Sequence, residues 1–357
     1  MHYASYREPD IVPGDPSKFI AMFPLCPVEK SALILTHFRT AGMSSSLLSL
    51  TPELVCRVIK DLPIEDALNF LLSCRQIYSN GKYAFDEKCF HVFPVKLKSQ
   101  SLRIAKDIIK KEQCRFIRKI FIQLDRVHVP LYLERPQEIA RNYLYKILKR
   151  GLHPSTKCDT IIINYGLETE ENEYRHHIKA VAWAIKKASS RQGVNHFKVR
   201  IQNITVPSCR DLINFGRTLL HQVHSIEVKV NSLDQDLDPI HEVLSRATNL
   251  RELSIRNDES EFLDSDVISE VIGVNSELES LRLSGFEIST EQLQGALIDV
   301  EPYIKNINLQ RMMFVDGFNS FINYISTLSL DEVFLEDIWE RDFEGRERAI
   351  RDPMSYL

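Results

Sequence analysis

Leu278-Glu279-Ser280-Leu281-Arg282-Leu283 is the stretch on which the reading of this chain turns. It has the form apolar-x-x-apolar-x-apolar, and its second half alternates apolar and polar residues, as a half-buried strand does. The same form appears upstream as Leu250-x-x-Leu253-x-Ile255. Downstream it appears as Ile304-x-x-Ile307-x-Leu309 and Leu330-x-x-Val333-x-Leu335, and the successive spacings are 28, 26 and 26 residues. Farther upstream come Val223-x-x-Ile226-x-Val228 and Val194-x-x-Phe197-x-Val199, at spacings of 27 and 29. Two looser copies, Cys158-x-x-Ile161-x-Ile163 and Ile117-x-x-Ile120-x-Ile122, stand at spacings of 36 and 41.

Helical patterns fill the intervals. Ser208 is placed to cap a helix carrying Leu212, Phe215, Leu219 and Leu220. Asp264 or Ser265 is placed to cap one carrying Val267, Ile268, Val271 and Ile272. Ser289 with Gln292 has the capping-box spacing ahead of Leu293 and Leu297. One short strand and one helix every 26–29 residues is the signature of a leucine-rich-repeat solenoid. The expected fold class is α/β, with a horseshoe of short parallel strands and helices. The Asn or Cys that usually closes each turn is missing. Its position, five after the second apolar residue, holds Asp258, Phe286, Met312 and Ile338, so the turns must close in another way. An α/β sheet of short parallel strands shares the strand–helix alternation. With 12 glycines and no Gly-x-Gly-x-x-Gly or Walker-type sequence, the phosphate-binding form of that fold is not indicated.

In a solenoid the strand residues alternate between core and concave face. If the Leu-type positions fill the core, their neighbours line the concavity. They begin with His196, Lys198 and Arg200, include Arg256 and Arg282, and run on to Asn308 and Phe334. Arginine is favoured at protein-binding hot spots and in carboxylate or phosphate recognition. Arg200, Arg256, Arg282, Asn308 and Phe334 are therefore the candidate substrate-binding residues, facing an acidic or phosphorylated segment.

Nearer the N-terminus, Leu48 to Leu68 reads as two short amphipathic helices meeting at Leu62-Pro63. Pro52 suits the first turn of a helix, where its missing N–H costs nothing. Leu54, Val55, Val58 and Ile59 form one apolar stripe. The residue before Pro63 is pushed out of the α region, which ends the helix. A second helix starts near Glu65-Asp66 and carries Leu68, Leu71 and Leu72. Such a pair also occurs as an ordinary helix-turn-helix inside a larger α domain.

This stretch resembles an F-box, in the form Leu-x-Pro-Glu-Leu, then Ile-x-x-Leu-Pro, then Asp-x-Leu and Cys74-Arg75, over residues 47–92. Thr51 stands where the family often has its first proline, and Tyr78 falls one place late. The resemblance implies a short all-α helix bundle that docks on the Skp-type adaptor, and through it the cullin, of an SCF ubiquitin ligase. It implies that Leu50, Pro52, Leu54, Ile59, Leu62, Pro63 and Leu68 face the adaptor or support that face. An F-box followed by leucine-rich repeats resembles the F-box/LRR substrate receptors. The expected function is substrate recognition for ubiquitin transfer, with a non-catalytic repeat scaffold as the alternative.

The expected order is an N-terminal arm over 1–44, the F-box over 45–95, a linker with degenerate first repeats over 96–190, repeats over 191–340 and a capping tail over 341–357. The 357 residues carry 45 Lys/Arg against 49 Asp/Glu, a net charge of −4, which does not suggest a nucleic-acid binder. The charge is uneven. Residues 96–150 hold 15 Lys/Arg and 5 Asp/Glu, and residues 232–301 hold 4 and 17. Seven cysteines without a Cys-x-x-Cys pair indicate a reducing compartment, cytoplasmic or nuclear. No apolar run approaches the ~20 residues that span a bilayer. His176-His177 point apart on a helix, and Asp236, Asp238 and His241 read as a loop entering a helix, so no metal is expected. No Ser/His/Asp or Cys/His arrangement has motif support. The chain is expected to be no enzyme and to carry no cofactor.

Overall fold

The computed structural model describes residues 50–110, 112–124, 134–153, 155–166, 174–192, 197–231, 237–264, 268, 271–272, 277–341, 346–350 and 353. The expected arm over 1–44, His196 and Asp236 lie outside them, as does most of the helix expected after Asp264 or Ser265. The chain divides into two compact units, Met1–Cys89 and Phe90–Leu357.

Among the described residues the first unit has the helices α1 (Pro52–Asp61), α2 (Ile64–Leu72) and α3 (Arg75–Phe90). Thr51 caps α1 through its side chain, and Leu62-Pro63 breaks it as the sequence requires. Val55, Ile59, Ala67, Leu71, Ile77 and Ala84 form a shared core. Gly81 lets α3 press onto α1: a Cβ there would lie 2.2 Å from Ile59 Cδ1. Lys88 closes the far end of α1. Its ammonium donates to the carbonyls of Ile59 (3.1 Å), Lys60 (2.6 Å) and Leu62, groups that a helix C-terminus leaves unpaired.

The second unit is α/β. Its strands are β1 (Val92–Lys96), β2 (Lys119–Leu124), β3 (Thr160–Tyr165), β4 (Lys198–Thr205), β5 (Val223–Val230) and β6 (Glu252–Asn257). They continue with β7 (Leu263–Asp264), β8 (Ser280–Ser284), β9 (Phe286–Ile288), β10 (Asn306–Phe314), β11 (Glu332–Arg341) and β12 (Glu347–Ala349). Among the described residues they make one 12-stranded sheet whose order follows the chain, from β1 to β12, with the short β7 and β9 beside the main path. Every pairing is parallel except β11 with β12. A doubly wound sheet reverses its strand order at a switch point. This one never does: among the described residues it is a parallel α/β sheet in chain order, as a solenoid or a barrel-like fold has.

Helices connect the strands: α4 (Ser99–Ile108), α5 (Glu134–Gly151), α6 (Tyr174–Gln192), α7 (Val206–Phe215), α8 (Arg217–Leu220), α9 (Asp238–Arg246), α10 (Thr290–Ile298) and α11 (Phe318–Ile325). The Leu-type strand positions are buried: Ile120 and Ile122, Ile161 and Ile163, Phe197 and Val199, Ile226 and Val228, Leu253 and Ile255, Leu281 and Leu283, Ile307 and Leu309, and in the last repeat Leu335, with Val333 half-buried. Phe314, Phe318 and Phe321 stack beneath the last strands.

Several expectations are revised. Within residues 96–190, expected as a linker with degenerate first repeats, β2 and β3 belong to the sheet. The spacing stretches there because α5 and α6 run to 18 and 19 residues. Val92–Lys96, which reads from sequence as extended at the end of the 45–95 segment, is the first strand of the sheet. The cap of α7 is at Thr205 rather than Ser208; Pro207 lies in the first turn of that helix and Ser208 is buried beside the Thr205 hydroxyl at 3.0 Å. The box at Ser289 and Gln292 forms as read, with bonds of 3.0 and 2.9 Å.

The turns close by a device that the sequence left open. Gly285, Arg311 and Asp337 have φ of 85°, 49° and 52°. They fall 26 residues apart, each just after the repeat's last outward residue. A left-handed residue here kinks the strand, which in β10 then resumes at Met312. One repeat earlier the place is held by Asn257, a buried side chain. It donates to the carbonyls of Glu261 (2.7 Å) and Gly285 (3.0 Å) and accepts from the Glu259 N–H (2.9 Å). A single asparagine thus does for one turn what a ladder does in regular repeats.

Candidate functional site

The outward residues of the sheet form rows, because parallel register places each beside its counterpart. One row runs Arg200, Ser225, Glu252, Ser280, Asn306, Glu332. The next runs Glu227, Ser254, Arg282, Asn308, Phe334, and a third Lys229, Arg256, Ser284, Gln310, Glu336.

Charges within the rows largely satisfy one another. Arg200 reaches across Ser225 to Glu252 at 3.0 Å, which a small residue between them permits. Arg256 is enclosed by Glu227 (3.2 Å), Asp258 (3.6 Å) and the Asn203 amide oxygen. Lys229 pairs with Asp258 at 3.0 Å, and Gln310 donates to Glu336 at 3.1 Å. Arg200 and Arg256, expected to bind a partner, are instead tied into the sheet. Releasing them would leave carboxylates unpaired, which exposed pairs tolerate at about 0–1 kcal/mol each.

Arg282 differs. Its side chain is exposed and makes no hydrogen bond or ion pair among the described residues. Its register neighbour is Asn308, whose Oδ1 is buried without a hydrogen-bond partner. Buried acceptors without partners are uncommon and mark places where something is awaited. Beyond Asn308 lies Phe334, an aromatic ring 40% exposed. A free guanidinium, an unused acceptor and an open ring therefore lie side by side on three adjacent strands. Of the five residues picked from sequence, the structure brings Arg282, Asn308 and Phe334 together, and it engages Arg200 and Arg256 elsewhere.

The helical unit places its seven candidates in three groups. Pro52, Leu54 and Pro63 are exposed, Leu54 at 48%. Leu50 and Leu62 are half-buried against the core, while Ile59 and Leu68 are buried. The last two cannot contact a partner and serve only to hold the helices. Three residues not singled out as contacts from sequence join the exposed set: Leu72 (56%), Tyr78 (43%) and Tyr83 (59%). Helical spacing alone could not assign Tyr78 and Tyr83, because α3 is weakly amphipathic, and it counted Leu72, at the end of α2, with the apolar side of that helix.

Among the described residues no group of three His, Cys, Asp or Glu is placed to hold a metal. Burial pushes the Cys89 and Cys158 thiols up to about 12, so neither is a ready nucleophile. No helix among the described residues is long and apolar enough to cross a membrane.

No family model and no curated protein matches this sequence. Among solved structures, one match is "Crystal structure of D-tagatose 3-epimerase-like protein", at 8% identity and a TM-score of 0.24, covering 65% of this chain and 92% of that one. The expectation that the chain is no enzyme is corrected on this match, and an absence of catalysis is not a conclusion here. At that TM-score the likeness carries no argument for an activity either.

Proposed function

We propose that this chain is a substrate-recognition subunit of an SCF-type ubiquitin ligase, working in the cytoplasm or nucleus. The helical unit is an F-box that docks on a Skp-type adaptor, and the strand–helix repeats are irregular leucine-rich repeats that hold a protein substrate. The observation that supports this reading best is the exposure of Leu54, Leu72 and Tyr78 on a unit whose core is already complete without them. Large apolar side chains left out of a closed core are surface for a partner. Docking a few such anchors in a groove is how helical modules bind. Binding would raise the effective concentration of a substrate lysine beside the ubiquitin-charged enzyme.

Co-purification of the full chain with a recombinant Skp-type adaptor tests the proposal. A stoichiometric complex is the expected result. A folded chain that stays free of the adaptor would leave a repeat scaffold outside ubiquitin transfer.

The partner-binding face carries its own prediction. Arg282→Glu with Phe334→Ala should weaken substrate capture at least about tenfold, since Arg and aromatic residues dominate interface energy, while adaptor capture is unchanged. Affinity purification of both forms from cells would check this. Retention of every substrate by the double variant would move the site off this face.

A further inference from the structure

Beside α4 and α5 lies a cavity of about 500 Å³ lined by Lys106, Lys110, Lys146, Lys149, Arg150 and His153. We propose that it binds a compact polyanion, a small molecule or headgroup bearing several phosphate groups. The proposal stands independently of the ubiquitin-ligase reading.

The placement is periodic. Lys106 and Lys110 are four residues apart. Lys146, Lys149 and Arg150 follow one another at steps that keep them on one face of α5, and His153 lies just past its end at Gly151. The opposite sides of the two helices are apolar and buried, through Leu102, Ala105, Ile108 and Ile109 on one and Leu144, Ile147 and Leu148 on the other. The two helices pack together, so their basic faces meet at one place.

Gathering like charges in this way is unfavourable by itself. A local cause accounts for part of it, because cations are stabilised at helix C-termini, each of which carries about −0.5 charge. Two such ends supply about −1, against Lys106, Lys110, Lys146 and Arg150. Asp107 pairs with Lys110 at 3.1 Å, but both side chains are about half exposed, so the pair is screened. No carboxylate lines the cavity among the described residues. The excess is what an anion with several charges would neutralise.

The groups are also set for phosphate. Lys106 is held over the Tyr143 ring at 4.7 Å, which fixes its ammonium. His153 Nδ1 accepts from the Ser155 N–H at 3.2 Å, which puts the proton of the neutral ring on Nε2 as a donor. Arg150 supplies the fork that matches phosphate oxygens, and the lysines supply point charges. The volume falls within the roughly 300–1,000 Å³ of small-ligand pockets.

Titration calorimetry of the full chain with tripolyphosphate, and with inorganic phosphate for comparison, tests this. Tripolyphosphate should saturate one site at least about tenfold more tightly than phosphate, and weaken steeply with salt. Lys146→Glu with Arg150→Glu should cut that affinity at least tenfold without lowering the thermal midpoint of the free protein; Lys146→Gln with Arg150→Gln repeats the test should the first pair fail to fold. Phosphatidylcholine vesicles with and without phosphatidylinositol bisphosphate separate the sources. Capture that tripolyphosphate competes away supports a lipid headgroup, and tripolyphosphate binding without vesicle capture supports a free molecule. An absence of saturable tripolyphosphate binding, or binding unchanged in the double variants, would overturn the proposal.

Discussion

Leu54→Asp is expected to abolish capture by a Skp-type adaptor while leaving the chain folded. Leu54 is on the first turns of α1 and 48% exposed, and the core of its unit closes through Val55, Ile59, Ala67 and Leu71 without it. Replacing it removes no core contact and adds a carboxylate near a helix N-terminus, where the dipole favours one. Thermal stability should therefore stay within about 0.5 kcal/mol of the parent. At a docked interface the same carboxylate would enter an apolar groove, adding a desolvated charge to the loss of a hot-spot side chain. The combined effect should exceed about 3 kcal/mol, a fall in affinity of more than about 100-fold. The contrast between the two readouts carries the test. Ile59→Asp would also lose the adaptor, but by unfolding the unit, since Ile59 is wholly buried. Undiminished capture of the Leu54 variant, measured by surface plasmon resonance, would sink the F-box assignment.

The sequence made the sheet legible because its signal is repeated. Apolar-x-x-apolar-x-apolar names both the strand and the face it buries, and the last two apolar positions of each copy from Ile117 to Leu335 lie on or at the start of a strand and are buried, Val333 alone being half-buried. The outward rows followed from that alternation alone. Which outward residues are available did not follow. Arg200, Arg256 and Arg282 look alike in sequence, and only the folded sheet shows that the first two reach Glu252 and Glu227 as ion pairs while the third stands in register between Ser254 and Asn308. Ion pairing between strands one or two repeats apart depends on twist and on small residues such as Ser225, and no local pattern encodes either. The same holds for the basic cavity. The charge excess over residues 96–150 was visible, but its convergence depends on two helices separated in sequence lying against each other. In the helical unit the turn chemistry at Pro52 and Pro63 fixed the helix ends. Exposure of Leu72, Tyr78 and Tyr83 depended instead on how three short helices share one small core.

Gly285→Ala is expected to be the most destabilising alanine substitution at any glycine of the repeats. The residue sits at φ 85°, a region costing an L-residue about 1–2 kcal/mol. That alone is bearable, since Arg311 and Asp337 hold the same conformation one and two repeats later. The difference lies in what surrounds Gly285. A Cβ there would stand 2.4 Å from the Asn257 carbonyl oxygen and 2.4 Å from Arg311 Nη2. Neither can yield cheaply. Arg311 Nη2 donates to that same carbonyl at 2.6 Å, and the Gly285 carbonyl accepts from Asn257 Nδ2 at 3.0 Å and from the Leu263 N–H at 3.1 Å. The Gly285 N–H is directed at the carbonyls of Gln310 and Arg311. One methyl group would thus strain the backbone and part the hydrogen bonds that tie β6, β8 and β10 together. The expected loss is about 3–5 kcal/mol, a fall of roughly 6–20 °C in thermal midpoint for a unit of this size. Gly295 is the matched control. It lies inside α10, and a Cβ added there would meet nothing within 4 Å, so Gly295→Ala should raise stability by about 0.5–1 kcal/mol. Calorimetric melts of the two variants should move in opposite directions. Equal and small shifts would mean that the turn network centred on Asn257 does not hold the repeats, and that packing of the buried strand residues alone sets their spacing.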